Sequence, residues 1–400
     1  MKDKVVEKLI KAEAARQKKV VNLIASENYV SQDVLDALGS ELTNKYAEGY
    51  PGKRYYSGTG IVDEIEKLAQ KRALEAFGLD ANVWHVNVQP LSGSPANLAV
   101  YLGLVPQGGK IMGMALDNGG HLTHGSPYSA TGKLWTPVPF VLDSKSEVID
   151  YVDLKQKAVA EKPAILVGGF TAYPRVVDFK KMKEAATAAG AIFMVDMSHF
   201  AGLVAGGEYP SPFEFADVVT TTVHKTLRGP RSALIFVRKD LKRLNAKGKE
   251  VSFAHLIDMA VFPGLQGGPH LNQIAAVAVA LKEAASPAFK KYAKQVKKNA
   301  KVLAEGLAKL GWKIISGGTD SHLILMDVWM NGVGMSGSDA GNKLEAAGII
   351  VNKNTIPGET RSAFDPSGIR LGTAAETTRG AKEKDMIALA KKIDKVLRSK

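Results

Sequence analysis

The chain has 400 residues, 45% of them hydrophobic, and 53 basic against 40 acidic side chains leave a net charge of +13. It has no cysteine, which excludes disulfides, zinc–thiolate sites and a thiol nucleophile. The positive balance favours anionic ligands such as phosphates, carboxylates or polyglutamate tails.

Met1 leads into KDKVVEKLIKAEAARQKK, a charged helical pattern without the apolar stretch of a signal peptide. No later segment reads as a membrane span, so the expected location is the cytoplasm. Residues 1–40 are expected as a helix and arm, packed on a small C-terminal domain or on a partner subunit. From about residue 60 to 240, apolar runs at 83–88, 110–115, 164–167, 191–195, 218–223 and 233–237 alternate with helical patterns such as 95–103 and 179–189. That alternation predicts an α/β domain, 41–270, with a mostly parallel sheet. Ligands on such sheets sit at the carboxyl ends of the strands. After Gly264-Leu265-Gln266-Gly267-Gly268-Pro269 the texture changes. A helical stretch over 273–310, strands at 321–328, 349–351 and 368–372, and a last helix from about 379 predict a smaller α+β domain, 271–400. Basic residues are scattered, and Lys290, Lys291, Lys294, Lys297 and Lys298 read as a solvated helix face rather than a nucleic-acid surface.

Unusual residues gather at the strand ends. Run 83–88 leads into Ser92-Gly93-Ser94-Pro95, a helix start with hydroxyl caps and proline in the first turn, whose free N–H groups suit a phosphate. Run 191–195 ends in Asp196, an acid that needs a partner in a buried place: a metal, a histidine or a protonated pyridine nitrogen. Run 218–223 ends in His224-Lys225, 29 positions later, so Asp196 and Lys225 are expected at neighbouring strand ends. A part-buried lysine in a positive setting is a competent amine nucleophile. Acid, amine and phosphate-binding helix start together match pyridoxal phosphate: ring nitrogen on Asp196, Schiff base on Lys225, phosphate at Ser92-Gly93-Ser94. His121 and His124 form an H-x-x-H without a convincing third ligand, so no metal is expected. Residues 49–54 echo a P-loop with the wrong spacing. His85 and His322 read as satisfied structural histidines, and Tyr173 and the tryptophans as packing.

Ten blocks make the reading specific: LIASENYVS (23–31), LTNKYAEGYPGKRYYSG (42–58), VNVQPLSGSPAN (86–97), GGHLTHG (119–125), VDMSHFAGLVA (195–205), TTTVHKTLRGPR (220–231), VFPGLQGGPH (261–270), GGTDSHLILMD (317–327), VNKNTIPGE (351–359) and SGIRLGT (367–373). Through them the chain resembles the serine hydroxymethyltransferase family over essentially its whole length. The resemblance implies a fold-type-I pyridoxal-phosphate transferase, aspartate-aminotransferase-like, with a seven-stranded-type central sheet. It implies reversible transfer of the serine hydroxymethyl carbon to tetrahydrofolate, giving glycine and 5,10-methylenetetrahydrofolate. It further implies that Lys225 carries the cofactor, Asp196 pairs with its ring nitrogen and His121 stacks on the ring. Ser92, Gly93 and Ser94 bind the phosphate with His224 beside it. His199 and Thr171 lie near the ring hydroxyl, and Thr222 belongs to the catalytic set. Arg370, assisted by Ser26, grips the substrate carboxylate. Glu48 is the acid/base group, Tyr55 and Tyr56 line its pocket, and Tyr56 helps place Arg370. Leu116, Gly120, Leu122, Asn354 and Phe364 resemble folate-contacting positions. Tyr46, Gly267 and Gly268 reach the phosphate of a neighbouring subunit, so a homodimer or tetramer is implied.

Val223, Thr171, Ser198, Phe200, Asn118 and Ser57 depart from the common pattern without deleting a charged catalytic group. A folate-independent β-hydroxy amino acid aldolase on the same cofactor is the rival enzyme. A basic RNA-binding protein with an inherited pocket is the rival of another class.

Overall fold

The computed structural model describes residues 1–245, 247–329 and 334–399. Seven strands build the central sheet: β1 (Trp84–Asn87), β2 (Lys110–Met114), β3 (Thr136–Phe140), β4 (Ile165–Gly169), β5 (Ile192–Asp196), β6 (Val218–Thr222) and β7 (Ala233–Arg238). Their spatial order is β1-β7-β6-β5-β4-β2-β3. β7 pairs antiparallel with both β1 and β6, and the remaining pairings are parallel. Strands β4 and β6 are buried at every residue, which is why they read as unbroken apolar or β-branched runs rather than as alternation. Helices such as Gly93–Leu104 and Phe179–Ala189 cover the sheet, and apolar cores lie on its two faces.

β3 escapes the sequence reading. Its sequence is Thr-Pro-Val-Pro-Phe, and prolines argue against a strand in a sheet interior. The strand lies at the sheet edge, paired only with β2, where the missing N–H groups leave no gap in the ladder.

The helical stretch expected over 273–310 is two helices, Leu271–Ala284 and Pro287–Lys309, with Ser286 capping the second and Pro287 in its first turn. Leu271, Ile274, Val277, Phe289 and Val296 belong to the larger core, whereas Leu303 and Leu307 belong to a second one. That second core backs a four-stranded antiparallel sheet: β8 (Lys313–Ile314), β9 (Leu323–Asp327), β10 (Asn352–Asn354) and β11 (Gly368–Gly372), in the order β8-β9-β11-β10. Val21–Asn22 pairs in parallel with Ile349–Ile350, so the N-terminal arm is tied to this second layer. The helix Lys4–Lys19 before it buries no residue, and Val5, Leu9 and Ile10 stand exposed.

Candidate active site

Two groups of side chains carry the chemistry. The first lies at the carboxyl ends of β5 and β6. Asp196 is the last residue of β5, and Lys225 follows the end of β6 by three positions. The register Asp196↔Thr220 makes these strands direct neighbours, as the spacing predicts.

Asp196 is buried and hydrogen-bonded at both oxygens. Its Oδ1 accepts from the Ser198 backbone N–H at 3.1 Å and from Ser198 Oγ at 2.5 Å. Its Oδ2 accepts from Asn97 Nδ2 at 2.9 Å and lies 3.1 Å from His124 Nε2. Burial opposes the charge, but the His124 hydrogen bond and, further off, the Lys225 ammonium hold this carboxyl well below the usual carboxylate range. The pair His121–His124 therefore does have a third potential metal ligand in Asp196, contrary to the sequence reading, with donor atoms within 4.8 Å of one another. Within the trio His124 Nε2 already meets Asp196 Oδ2 at 3.1 Å, and His121 Nδ1 lies 2.7 Å from Thr123 Oγ1. Burial pushes His121 down to about 4, so its ring is neutral at pH 7.

Lys225 is half-buried, and burial pushes its amine down to about 8; Arg370 and Arg231 act in the same direction and Asp196 against it. His199 and His322 stack with centroids 5.5 Å apart, Nδ1 of His199 lying 3.4 Å from Nε2 of His322. Burial drives both rings down, and Lys225 and Arg370 add to the effect. His322 is thus not the satisfied structural histidine expected: it stacks on a site histidine and its Nδ1 is buried without a hydrogen-bond partner. His85 is satisfied by Asp258 at 3.0 Å, as expected.

Two observations decide what this site can hold. The helix start at Ser92 has no side-chain cap. A Cβ on Gly93 would lie 2.7 Å from Thr222 Cγ2, so glycine is needed for the helix start to approach β6 this closely. Thr222 Oγ1 and, two residues on, His224 Nδ1 are buried without a hydrogen-bond partner. Unused donors around an uncapped helix N-terminus fit a phosphate, and Lys225 with Asp196 fits the aldehyde and ring nitrogen of pyridoxal phosphate. Second, Arg370 on β11 is 9% exposed and makes no ion pair among the described residues. Its Nε donates to Asn352 Oδ1 at 3.0 Å and its Nη1 to the Thr171 carbonyl at 2.6 Å. Burial alone pushes it down to about 10. A buried cation without its counter-charge suits an incoming carboxylate. Asn352 and the Thr171 backbone orient Arg370, and no bond joins it to Tyr56 or Ser26.

The second group is separate. The Tyr46 hydroxyl lies 3.2 Å from Glu48 Oε1, and the rings of Tyr46 and Tyr56 meet edge to face at 5.1 Å. The Gly267-Gly268 turn lies against Glu48 and Tyr46, since a Cβ there would approach Glu48 Oε1 to 3.1 Å and the Tyr46 ring to 2.9 Å. Tyr46, Tyr55 and Tyr56 are exposed. Among the described residues no hydrogen bond or ion pair joins this group to Lys225, Asp196 or Arg370. Leu116 and Leu122 are part-exposed on the loop that carries Gly120, while Phe364 stands 85% exposed on a loop near Asn354.

Asn97, Thr123, His124, Ser198 and Asn352 organise the site but were not assigned roles from sequence. Asp196-x-Ser198 and His121-x-x-His124 were visible signals; Asn97 and Asn352 had none outside the blocks that contain them.

The family model described as serine hydroxymethyltransferase matches residues 1–393. Serine hydroxymethyltransferase of Desulfotalea psychrophila is 51% identical over 97% of this chain and 87% of its own length. That of Koribacter versatilis is 52% identical over 96% and 86%. The probable cytosolic serine hydroxymethyltransferase of Schizosaccharomyces pombe is 49% identical over 99% and 85%.

Proposed function

The chain belongs to the serine hydroxymethyltransferase family, and from that premise we propose how its residues divide the work. The reaction is the reversible transfer of the serine hydroxymethyl carbon to tetrahydrofolate, giving glycine and 5,10-methylenetetrahydrofolate, with pyridoxal phosphate as cofactor. When bound, the cofactor supplies an electron-withdrawing ring next to the amino-acid α-carbon.

Lys225 is the amine that would hold the cofactor covalently. Asp196 stays ionised and keeps a proton on the ring nitrogen, with His124, Asn97 and Ser198 fixing its oxygens. Ser92, Gly93, Ser94, His224 and Thr222 receive the phosphate. The neutral His121 would offer its ring face to the cofactor, with His199 and Thr171 on the side of its ring hydroxyl. Arg370, steadied by Asn352 and with Ser26 nearby in role, binds the serine carboxylate and so fixes which α-carbon bond faces the ring. Glu48 moves the proton at the serine hydroxyl and the folate nitrogen, with Tyr55 and Tyr56 around it. Leu116, Gly120, Leu122, Asn354 and Phe364 line the folate side.

A homodimer with shared sites follows from the same reading. The group around Glu48, with the exposed Tyr46 and the half-buried Glu48 and Gly268, makes no hydrogen bond or ion pair to Lys225 among the described residues, which supports its completing the site of a second copy. We place the enzyme in the cytoplasm, as the name of the fission-yeast relative has it; no helix among the described residues is long and apolar enough to cross a membrane. We divide the chain into an arm (1–40), a cofactor-binding unit (41–270) and a small unit (271–400).

The observation that carries the assignment is the buried Arg370, which makes no ion pair among the described residues and lies close enough to Lys225 to lower its amine. The test is turnover of serine with and without tetrahydrofolate. Dependence on folate is expected, and full turnover without it would point to the aldolase.

A further inference from the structure

Glu48 sits on a short loop gripped from beneath. Arg54 Nη1 donates to the carbonyl of Ala47 at 2.9 Å and to that of Gly49 at 2.7 Å, the residues on either side of Glu48. Gln89 Nε2 donates to the same Gly49 carbonyl at 2.9 Å. Both grips converge on one acid. Glu66 accepts from Arg54 Nη2 at 2.6 Å through Oε2 and from Gln89 Nε2 at 2.9 Å through Oε1. Glu66 is fully buried, and the Arg54 side chain is 2% exposed. One turn earlier on the same helix, Gly60–Ala76, Asp63 takes Arg54 Nε at 2.8 Å and the Gly52 N–H at 2.8 Å. Gly49 holds φ +94°, and a Cβ there would meet the Lys53 carbonyl at 2.3 Å, so only glycine fits next to Glu48 in this turn.

Burying a carboxylate is unfavourable unless its bonds are needed. Here they lock two donors whose other ends bracket a single residue. We propose that Glu66 is a positioning residue for Glu48: its buried carboxylate aligns Arg54 and Gln89 on the Ala47 and Gly49 carbonyls and so fixes where the Glu48 carboxyl is presented. This rests on the reading of Glu48 as the proton-moving group. Glu66 touches no substrate and acts only through the loop.

The test uses the holoenzyme and the variants Glu66→Ala, Gln89→Met, Glu48→Gln and the doubles with Glu48→Gln. Misplacement of a reacting group by an ångström slows turnover by about 100-fold. Glu66→Ala is expected to lower folate-dependent kcat by about 10- to 100-fold, with serine KM within about threefold and the visible cofactor band retained. In the Glu48→Gln background the same change is expected to slow kcat by less than about twofold, because the group it positions is already gone. A full multiplicative loss in that background overturns the proposal and assigns Glu66 a general structural role, while Glu48 keeps its own. Normal kcat for Glu66→Ala and Gln89→Met overturns it as well. If Glu66→Ala does not fold, Gln89→Met, which keeps side-chain volume and the ion pair, carries the same comparison. Normal turnover of Glu48→Gln alone removes the reading of Glu48 and the positioning role with it.

Discussion

Arg370 and Lys225 are two cations whose environments are set in opposite ways for binding and for reaction. Arg370 is buried against neutral acceptors, so its charge waits for a partner. Breaking a buried charge pair forfeits about 3–5 kcal/mol, so Arg370→Ala is expected to weaken serine binding by about 150- to 4000-fold while the cofactor stays bound. Titration of the holoenzyme with serine checks this, and near-normal affinity would remove Arg370 from the carboxylate role. Lys225 is held down to about 8 by burial first, with Arg370 and Arg231 adding and Asp196 opposing. A lowered lysine value means that the neutral amine gains population as pH rises through about 8 instead of through the ordinary lysine range. In cofactor-free protein, the rate at which pyridoxal phosphate becomes borohydride-fixed to Lys225 is expected to climb between about pH 7 and 8.5 and then level off. A rate still climbing at pH 10 would contradict the burial argument. Lys225→Ala should show no fixation.

Elements explain what could be read from the sequence and what could not. β4, β5 and β6 were legible because strands buried on both faces need apolar or β-branched residues throughout. Asp196 and Lys225 were legible because a charge ending such a run is conspicuous. The hydrogen bonds from Asn97 to Asp196 and from Arg370 to the Thr171 carbonyl were not, since they join residues whose meeting depends on how helix, sheet and small layer dock. The break between Leu271–Ala284 and Pro287–Lys309 was written in Ser286-Pro287 but hidden by the apolar periodicity on both sides. The helix start at Ser92 yields a prediction at this scale. Gly93→Ala pushes a methyl to 2.7 Å from Thr222 Cγ2, so the helix must back away from β6. Overpacking of this kind destabilises by about 1–3 kcal/mol, and cofactor affinity is expected to fall at least about tenfold while the fold persists. Equilibrium dialysis of the cofactor measures it, with circular dichroism as the control.

At the scale of the whole molecule, the separation of the Glu48 group from the Lys225 group predicts complementation between copies. Lys225→Ala and Glu48→Gln subunits should each be slow alone. Mixed and reassembled in equal amounts, they are expected to regain about a quarter of wild-type turnover, since half the dimers are mixed and each then holds one intact site. Mixtures no faster than their components would mean that both groups serve one chain.

The prolines of β3 bear on how such copies can meet. A strand at the rim of a sheet invites another chain to lie alongside it by main-chain pairing. Pro137 and Pro139, two positions apart, lack their N–H groups on the outward side of that rim. Continuous ladder formation across molecules is thereby denied at this border, which guards it against edge-to-edge stacking.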